Sequence, residues 1–521
     1  MRAYEWRVTP PLNPSQDPDY VPDPARWRIL GVLLVTVFMA LVGVSIVNVV
    51  LPSIQTGLGA SQSDIQWVLS GYALTFGIVL VAAGRAGDIF GRGPIFIAGL
   101  VIFTLSSIAA GLAPDASTLN IARFIQGLGS GLLNPQAIGM IQQYFRDGER
   151  ARSFGLMGTV IGVSVAIGPL LGGSLVQIFG VEHGWRWTFL VNVPVGILAL
   201  VLAFRWFPKP MLNGSPPARA APVEVADPES IPLGRSWLPF TKTRPAGYQP
   251  RDLDPIGAFL LGIAVLMVLL PFVESRGSAW TWTMLPAGLA VLALWAWWEH
   301  RYKLRGRSPM VDLHLFRGAG FTNGTIISGL YMLGMTSVWV LVALYVQNGL
   351  GRTALEAGLI SLPAAVMAAF GSHWSGGKVM EYGRRVVIWG ILCALFGLGS
   401  SVLVIHWQTA FGLNFWWLLF TLSFVGTAQG LVISPNQTLT LADVPLDYAG
   451  SAGGVQQTGQ RIGTSVGIAM MTAIAFATLA QTDWQTAITV GFGAIACVVL
   501  VALAVAVKDH RRRLVEVAGT A

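Results

Sequence analysis

The sequence predicts an all-α polytopic membrane protein, and three observations carry that prediction. Of 521 residues, 54% are hydrophobic and only 11% charged, against roughly 25% charged in a soluble domain, too few to cover a globule in water. Apolar runs of about the 17 to 25 residues that a helix needs to cross a bilayer recur along most of the chain. Arg and Lys gather in alternate connections between those runs, as they do when basic loops stay on the cytoplasmic side.

Six runs come first, at 29–50, 67–83, 95–112, 123–141, 154–179 and 189–207. Two follow at 256–273 and 285–298, then six more at 321–346, 357–374, 386–405, 415–433, 455–479 and 488–507, fourteen in all. One side collects Arg85 and Arg92, Arg146 to Arg152, Arg205 and Lys209, Arg301 to Arg307, Lys378 to Arg385, and Lys508 to Arg513. The opposite connections hold mainly Arg186, Arg276 and Arg352. Both termini are therefore expected in the cytoplasm, and the net charge of +8 reads as orientation rather than nucleic-acid binding. The Pro-rich N-terminal tail has no early apolar run or small-residue cleavage site, so no signal peptide is expected. Arg outnumbering Lys, with abundant Ala, Gly and Val, is compatible with GC-rich bacterial coding and a bacterial inner membrane. Cys393 and Cys497 fall inside runs, which favours apolar packing over a disulfide or metal. The six His are scattered without metal or catalytic spacing, leaving a membrane-embedded transferase as a remote alternative and an enzyme as the rejected class.

The expected organisation is a tail (1–27), an N-terminal six-helix bundle (28–208), a Pro-rich linker (209–252) and two inserted helices (253–303). A short connection (304–316), a C-terminal six-helix bundle (317–508) and a tail (509–521) complete it. Within the linker, Trp237-Leu238-Pro239-Phe240 either packs on the membrane face or is disordered. Gly84, Asp88, Gly91 and Arg92 after the second run are echoed by Gly377, Glu381, Gly383 and Arg384 after the tenth. Such a repeat suggests paired halves with a substrate site between them at mid-membrane.

The motifs narrow the reading. In Gly84-Arg85-Ala86-Gly87-Asp88-Ile89-Phe90-Gly91-Arg92, glycines permit a tight turn, and an acid beside an arginine at helix ends can latch neighbouring helices. The pattern resembles the loop signature of the major facilitator superfamily, which implies a major facilitator fold of two six-helix bundles, here with two added helices. The resemblance also implies that Asp88 helps close the cytoplasmic side. Ile89, Gly93 and Pro94 stand where that family usually has basic residues. Ile121-Ala122-Arg123-Phe124-Ile125-Gln126-Gly127-Leu128-Gly129 resembles the family's fourth-helix motif, implying a proton-coupling role for Arg123 with Gln126. The residue-level alternative is an arginine snorkelling to the interface. Ser164, Gly168 and Gly172 repeat every fourth residue on one face, and Pro169 bends the helix that they line. With Gly155 and Gly173 they resemble the antiporter signature of the fifth helix in drug/proton exporters, Ser164 replacing a usual glycine. Trp185 to Gly196 is similar to the segment entering the sixth helix of the fourteen-span drug:proton antiporter-2 family.

That family usually carries an acid in the first span, where Gly43 stands here. The Asp and Glu residues all lie near span ends or in loops, so the proton carrier and the counter-charge for a cationic drug are not evident. Instead the thirteenth run offers Gln456, Gln460 and Arg461 on neighbouring stripes. Asn48, Tyr72, Asn134, Gln136, Gln429 and Asn436 are the other cavity candidates, with interhelical hydrogen bonding as the plain alternative. The expected function is proton-coupled export of amphipathic or hydrophobic small molecules by a monomer in the bilayer, energised by the proton gradient without cofactor or metal. The alternative is a same-fold exporter of a neutral, anionic or lipid-like metabolite.

Overall fold

The computed structural model describes residues 22–212, 253–273, 279–442 and 444–518. Most of the 1–27 tail and all but the first residues of the 209–252 linker, including Trp237-Leu238-Pro239-Phe240, lie outside the described residues. Within them are α1 (Arg26–Leu58), α2 (Gln62–Phe90), α3 (Arg92–Gly111), α4 (Ala116–Tyr144), α5 (Asp147–Phe179), α6 (Gly184–Leu190), α7 (Asn192–Trp206) and α8 (Lys209–Leu212). There follow α9 (Pro255–Val273), α10 (Met284–Leu304), α11 (Ala319–Leu344), α12 (Ala354–Tyr382), α13 (Arg384–Phe411), α14 (Leu418–Leu441), α15 (Ala449–Leu479) and α16 (Trp484–Ala518). No strand occurs among the described residues.

Twelve helices are long and apolar enough to cross a membrane, with Gly184–Trp206 counted as one. Every apolar run of the sequence falls on a helix, but α4 and α10 do not reach that hydropathy. At 29 and 21 residues they have the length, since about 20 residues of helix span some 30 Å. What lowers α4 is its polar content, including Arg123, Gln126, Asn134, Gln136, Gln142 and Gln143; α10 carries Glu299-His300-Arg301 and Lys303 in its last two turns. The run at 189–207 is broken at Val191 between α6 and α7. Pro194 has no N–H to return to Leu190, so the helix restarts there.

The paired loops seen in the sequence are paired in structure. Gly91, at φ 94°, joins α2 directly to α3, and Gly383, at φ 56°, joins α12 to α13. Both are backbone conformations that a side chain disfavours. At their far ends α2 and α12 start with the same device. Ser61 Oγ accepts the Asp64 N–H (3.2 Å) and the Asp64 carboxylate accepts the Ser61 N–H (3.0 Å). Thr353 and Glu356 repeat this reciprocal cap at 3.2 and 2.9 Å, satisfying two orphan donors at each helix start. Arg92 and Arg384 open the following helices as buried residues, 4% and 1% exposed. Each reaches a Pro-containing helix of its own half: Arg92 donates to Gly139 O on α4, and Arg384 to Asn436 Oδ1 on α14.

In the first half α1 packs on α5 and α7, while α2 and α3 pack on α4; in the second, α11 packs on α15 and α16, and α12 and α13 on α14. The α9–α10 hairpin lies against α2 and α15, through an apolar cluster that includes Leu74, Val81, Leu261, Val265, Leu269 and Trp295. The helix ends bearing Arg85, Arg92, Arg146 and Arg384 form one side of the molecule, the basic face. On the connection from α10 to α11, burial opposes ionisation of Asp312. Lys303, 2.7 Å away, and the His314 N–H outweigh it and hold the carboxyl below its ordinary value.

The second half is tied at the basic face by a buried ion pair. Arg384 Nε donates to Asp509 Oδ2 at 2.6 Å with both side chains at most 1% exposed, and Asn323 Nδ2 donates to Asp509 Oδ1 at 2.8 Å. Removing one member of such a pair leaves a buried charge without its counter-charge, a loss of about 3–5 kcal/mol. Asp509→Ala is therefore expected to lower the thermal unfolding midpoint of the detergent-solubilised protein. A joint Arg384→Met, Asp509→Leu replacement should lower it less. Equal midpoints for Asp509→Ala and wild type would show that the pair contributes nothing.

Candidate functional site: the seam between the halves and the polar ladder above it

The two halves meet most closely on the basic side of mid-helix, where glycines allow backbone to touch backbone. A Cβ on Gly155 of α5 would come within 2.8 Å of Gly376 Cα on α12. A Cβ on Gly376 would come within 2.7 Å of Gly155 Cα. Gly158 and Gly162 continue this edge against Ser372 and Ala369. Thr159 Oγ1 donates to Ala369 O at 3.1 Å, and Ser434 Oγ of α14 donates to Phe154 O. On the other side of the seam Gly84 faces Gly450, and Gly454 faces Leu80 and Val81.

Asp88 completes this second contact. Helix α15 starts without a side-chain cap from its own segment, so its first N–H groups need acceptors. The Asp88 carboxylate, from α2 of the opposite half, accepts the N–H groups of Gly450 and Ser451, both at 3.0 Å, and the Ser451 hydroxyl at 3.2 Å. A negative charge at a helix N-terminus is favourable in itself. Arg92 pairs with Asp88 at 3.1 Å, the two side chains 2% and 0% exposed. It donates also to Gln143 Oε1 (3.1 Å), Leu446 O (2.9 Å) and Gly139 O. Gly84, Asp88, Gly91 and Arg92 thus come together as one constellation, with Arg85 beside it donating to Ser308 and lying over the Tyr448 ring.

Deeper in the first half, Arg123 is 1% exposed, and thus is not snorkelling to an interface. Its Nε donates to Val68 O (2.9 Å) and its Nη1 to Gln126 Oε1 (2.6 Å); Gln126 Nε2 in turn donates to Ser107 Oγ (2.7 Å). The guanidinium carbon lies 4.4 Å from the centre of the Tyr72 ring, whose hydroxyl donates to Ser130 Oγ at 2.8 Å. Tyr72 stacks on Phe76 one helical turn along (6.1 Å), and the Arg461 guanidinium of α15 covers Phe76 at 4.3 Å. Arg123, Tyr72, Phe76 and Arg461 therefore form a cation–aromatic ladder that crosses from one half to the other. Sequence reasoning missed Phe76 and Ser107. The four-residue spacing from Tyr72 was the available signal for Phe76; nothing marked Ser107.

The remaining expected residues disperse. On α5, Gly168 and Gly172 pack on α1 at Ser45, Ile46 and Val50, and Ser45 Oγ donates to Ser164 O at 3.2 Å. The contact of this face is therefore inside one half, while Gly155 lies on the seam and Gly173 has open space beside it. Gln460 donates to Ser328 Oγ (2.6 Å), and Gln136 Nε2 to Ala83 O (2.7 Å) with its Oε1 unpaired. Gln456 is 1% exposed with neither amide atom paired. Asn134 reaches back to Ser130 O at 3.4 Å, and Gln429 is partly exposed. Asn436 is held by Arg384 and Gly324 O at the basic face, away from the ladder. The Asn48 side chain lies outside the described residues.

Asp88→Asn keeps the shape of the cap while removing its charge and its ion pair. Charge-assisted bonds of this kind contribute about 1.5–3 kcal/mol, enough to shift a two-state population about tenfold or more. Spin labels at Gly148 and Glu381, exposed at the basic ends of α5 and α12, should report longer separations in Asp88→Asn than in wild type, both with the native cysteines replaced. Unchanged distance distributions would show that the cap does not hold the seam.

A family model described as Major Facilitator Superfamily matches residues 33–468. The "Probable actinorhodin transporter" of Streptomyces coelicolor is 31% identical over 458 residues, 87% of this chain and 73% of that protein. The "Tetracenomycin C resistance and export protein" of Streptomyces glaucescens is 29% identical, over 85% of this chain and 75% of that protein. The crystal structure of the human organic anion transporter MFSD10 superposes with a TM-score of 0.61, covering 93% of this chain and all of that one. At 12% identity this last likeness is one of fold alone. An almost wholly helical chain with repeated halves, a latch-like loop in the first and a family match over most of its length is a transporter rather than an enzyme, and it belongs to the Major Facilitator Superfamily.

Proposed function

We propose that this chain is a proton-coupled exporter of amphipathic or hydrophobic small molecules, of the drug-efflux type, working by alternating access. The observation that carries the reading is the seam: the halves are drawn together on the basic face by the Asp88 cap and the Gly155–Gly376 contact, with the polar ladder beyond it. If the basic face is cytoplasmic, as the Arg and Lys placement favours, this is an outward-facing state, in which a substrate is released and a proton taken up. The name of the tetracenomycin C resistance and export protein supports the direction of transport. In this reading fourteen helices cross a bacterial inner membrane, both termini are cytoplasmic, and two six-helix bundles rock about a central cavity in a monomer.

The residues take the following parts. Asp88 with Arg92, on the turn that Gly84 and Gly91 permit, holds the cytoplasmic seam. Arg123 with Gln126 tunes proton affinity next to Tyr72, no cofactor being required. The Gly168-Pro169 stretch keeps α5 seated on α1 while its other end parts from α12. Tyr72, Asn134, Gln136, Gln429, Gln456, Gln460 and Arg461 line or support the cavity; Asn48 belongs to the same proposed set.

Purified protein in liposomes, with an imposed pH gradient and a panel of substrates of varied charge, tests this reading. Substrate flux should follow the gradient and collapse with a protonophore. Arg123→Ala should reduce gradient-driven flux about tenfold or more, a loss of roughly 1.4 kcal/mol or more, while gradient-independent exchange is less affected. Flux indifferent to the gradient, from protein shown to be folded, would overturn proton coupling.

A further inference from the structure

Two guanidinium groups stand well inside the helical body, and their surroundings differ. Arg123 is sealed, bonded to Val68 O and Gln126 and faced by the Tyr72 ring. Arg461 lies twelve residues into α15, about 18 Å along the axis from its start at the basic face, and it is partly exposed. Its one close partner is the Phe76 ring of the opposite half; among the described residues it makes no hydrogen bond and no ion pair. The described carboxylates sit at helix ends, in loops or at the basic rim, as Asp64, Asp88, Glu299, Glu356 and Asp509 do. A charge at membrane depth is costly even on insertion scales. Cover by an aromatic face returns only part of that cost.

We propose that Arg461 is the charge-recognising residue of the substrate cavity, and that the molecule carried is an organic anion, a carboxylate or a phenolate. A guanidinium that lies over the Phe76 ring and makes no hydrogen bond has donors free for an acid, which it binds as a planar fork. Placing that acid between the halves supplies the counter-charge that no described side chain provides. The Tyr72 and Phe76 rings beneath it are buried, 4% and 2% exposed, and back the guanidinium from the side away from a ligand. A lipophilic cation meets the reverse situation, a partly exposed arginine and, among the described residues, no carboxylate beside it. This inference takes only the direction of movement from the export reading; the charge preference belongs to binding.

Fluorescein and rhodamine 123 are tricyclic xanthenes of similar size and opposite charge, and their equilibrium binding to the purified full chain in detergent, read by fluorescence anisotropy, decides the matter. Fluorescein should bind about 10- to 100-fold more tightly, the range expected of a charge-assisted contact. Arg461→Gln should abolish that preference by weakening fluorescein while leaving rhodamine 123 nearly unchanged, and Arg461→Lys should retain part of it. Rhodamine 123 binding as well as fluorescein, neither dye binding, or Arg461→Gln weakening both alike would each overturn the proposal. The sign of the preference is read on the wild-type chain, so it stands even where a variant does not fold. Should fluorescein bind but fail to cross liposomes under a pH gradient, the export reading falls and the anion site does not.

Discussion

Much of the seam depends on one helix start that has no cap of its own. The first N–H groups of α15 are satisfied from the other half of the molecule, by Asp88, because Tyr448 ahead of them offers no side-chain acceptor. A buried carboxylate would be costly alone, and Arg92 neutralises it; Arg92 in turn is anchored by α4 and by Leu446 O. The approach that puts Asp88 within reach exists because Gly84 has no Cβ to strike Gly450 O. The turn that brings Arg92 back beneath Asp88 needs the positive φ of Gly91. Four residues of one loop thus serve a single electrostatic contact, and changing any of them acts on the same bond.

The halves repeat each other in fold but not in this contact. Glu381 occupies the place of Asp88 in the second half, yet it pairs with Lys378 at 2.7 Å and its side chain is 54% exposed. The helix start that it would have to cap is that of α5, whose first turn already holds Asp147 and Glu149. A third carboxylate there would meet like charge. Glu149 is moreover engaged by Arg26 of α1, with Nε and Nη2 each 3.0 Å from its oxygens. Across that side of the seam the halves are joined by packing and neutral hydrogen bonds, and Arg384 turns inward to Asp509 instead of supporting a cross-contact.

Much of this was legible in the sequence. Apolar runs located the helices, and the spacing of Gly84, Asp88, Gly91 and Arg92 located the seam, because turn glycines and charges at helix ends act through local geometry. What stayed hidden was which surfaces meet. The small face of Ser164, Gly168 and Gly172 was plain from its four-residue period, but a period says nothing of the partner, which proved to be α1 of the same half. Asn436 was indistinguishable by type from a cavity amide, and only its distance to Arg384 and Gly324 O assigns it to the rim. Hydropathy ranks α4 below a spanning helix because the residues that depress it, Arg123, Gln126 and Gln136, face inward and are bonded there. An average along the chain cannot register the direction in which a side chain points.

Helix α5 carries two kinds of contact that the proposed conformational change would use differently. Towards the basic face its Gly155, Gly158 and Gly162 lie against α12, and beyond them Ser164, Gly168 and Gly172 lie against α1. Pro169 removes the hydrogen bond to Val165 in the second stretch, so the helix can bend there without a further loss of backbone pairing. The seam side is held mainly by van der Waals contact, about 0.1–0.2 kcal/mol per atom pair, with two hydroxyl donations to backbone oxygens across it. Such an interface separates gradually and re-forms without strict register. The Asp88 cap on the opposite edge is directional and charged, and its bonds stretch little before they break. In the proposed alternating-access cycle, a seam with one yielding edge and one switch-like edge would open cooperatively once the cap is lost, which would place control of the motion on Asp88 rather than on the bend in α5.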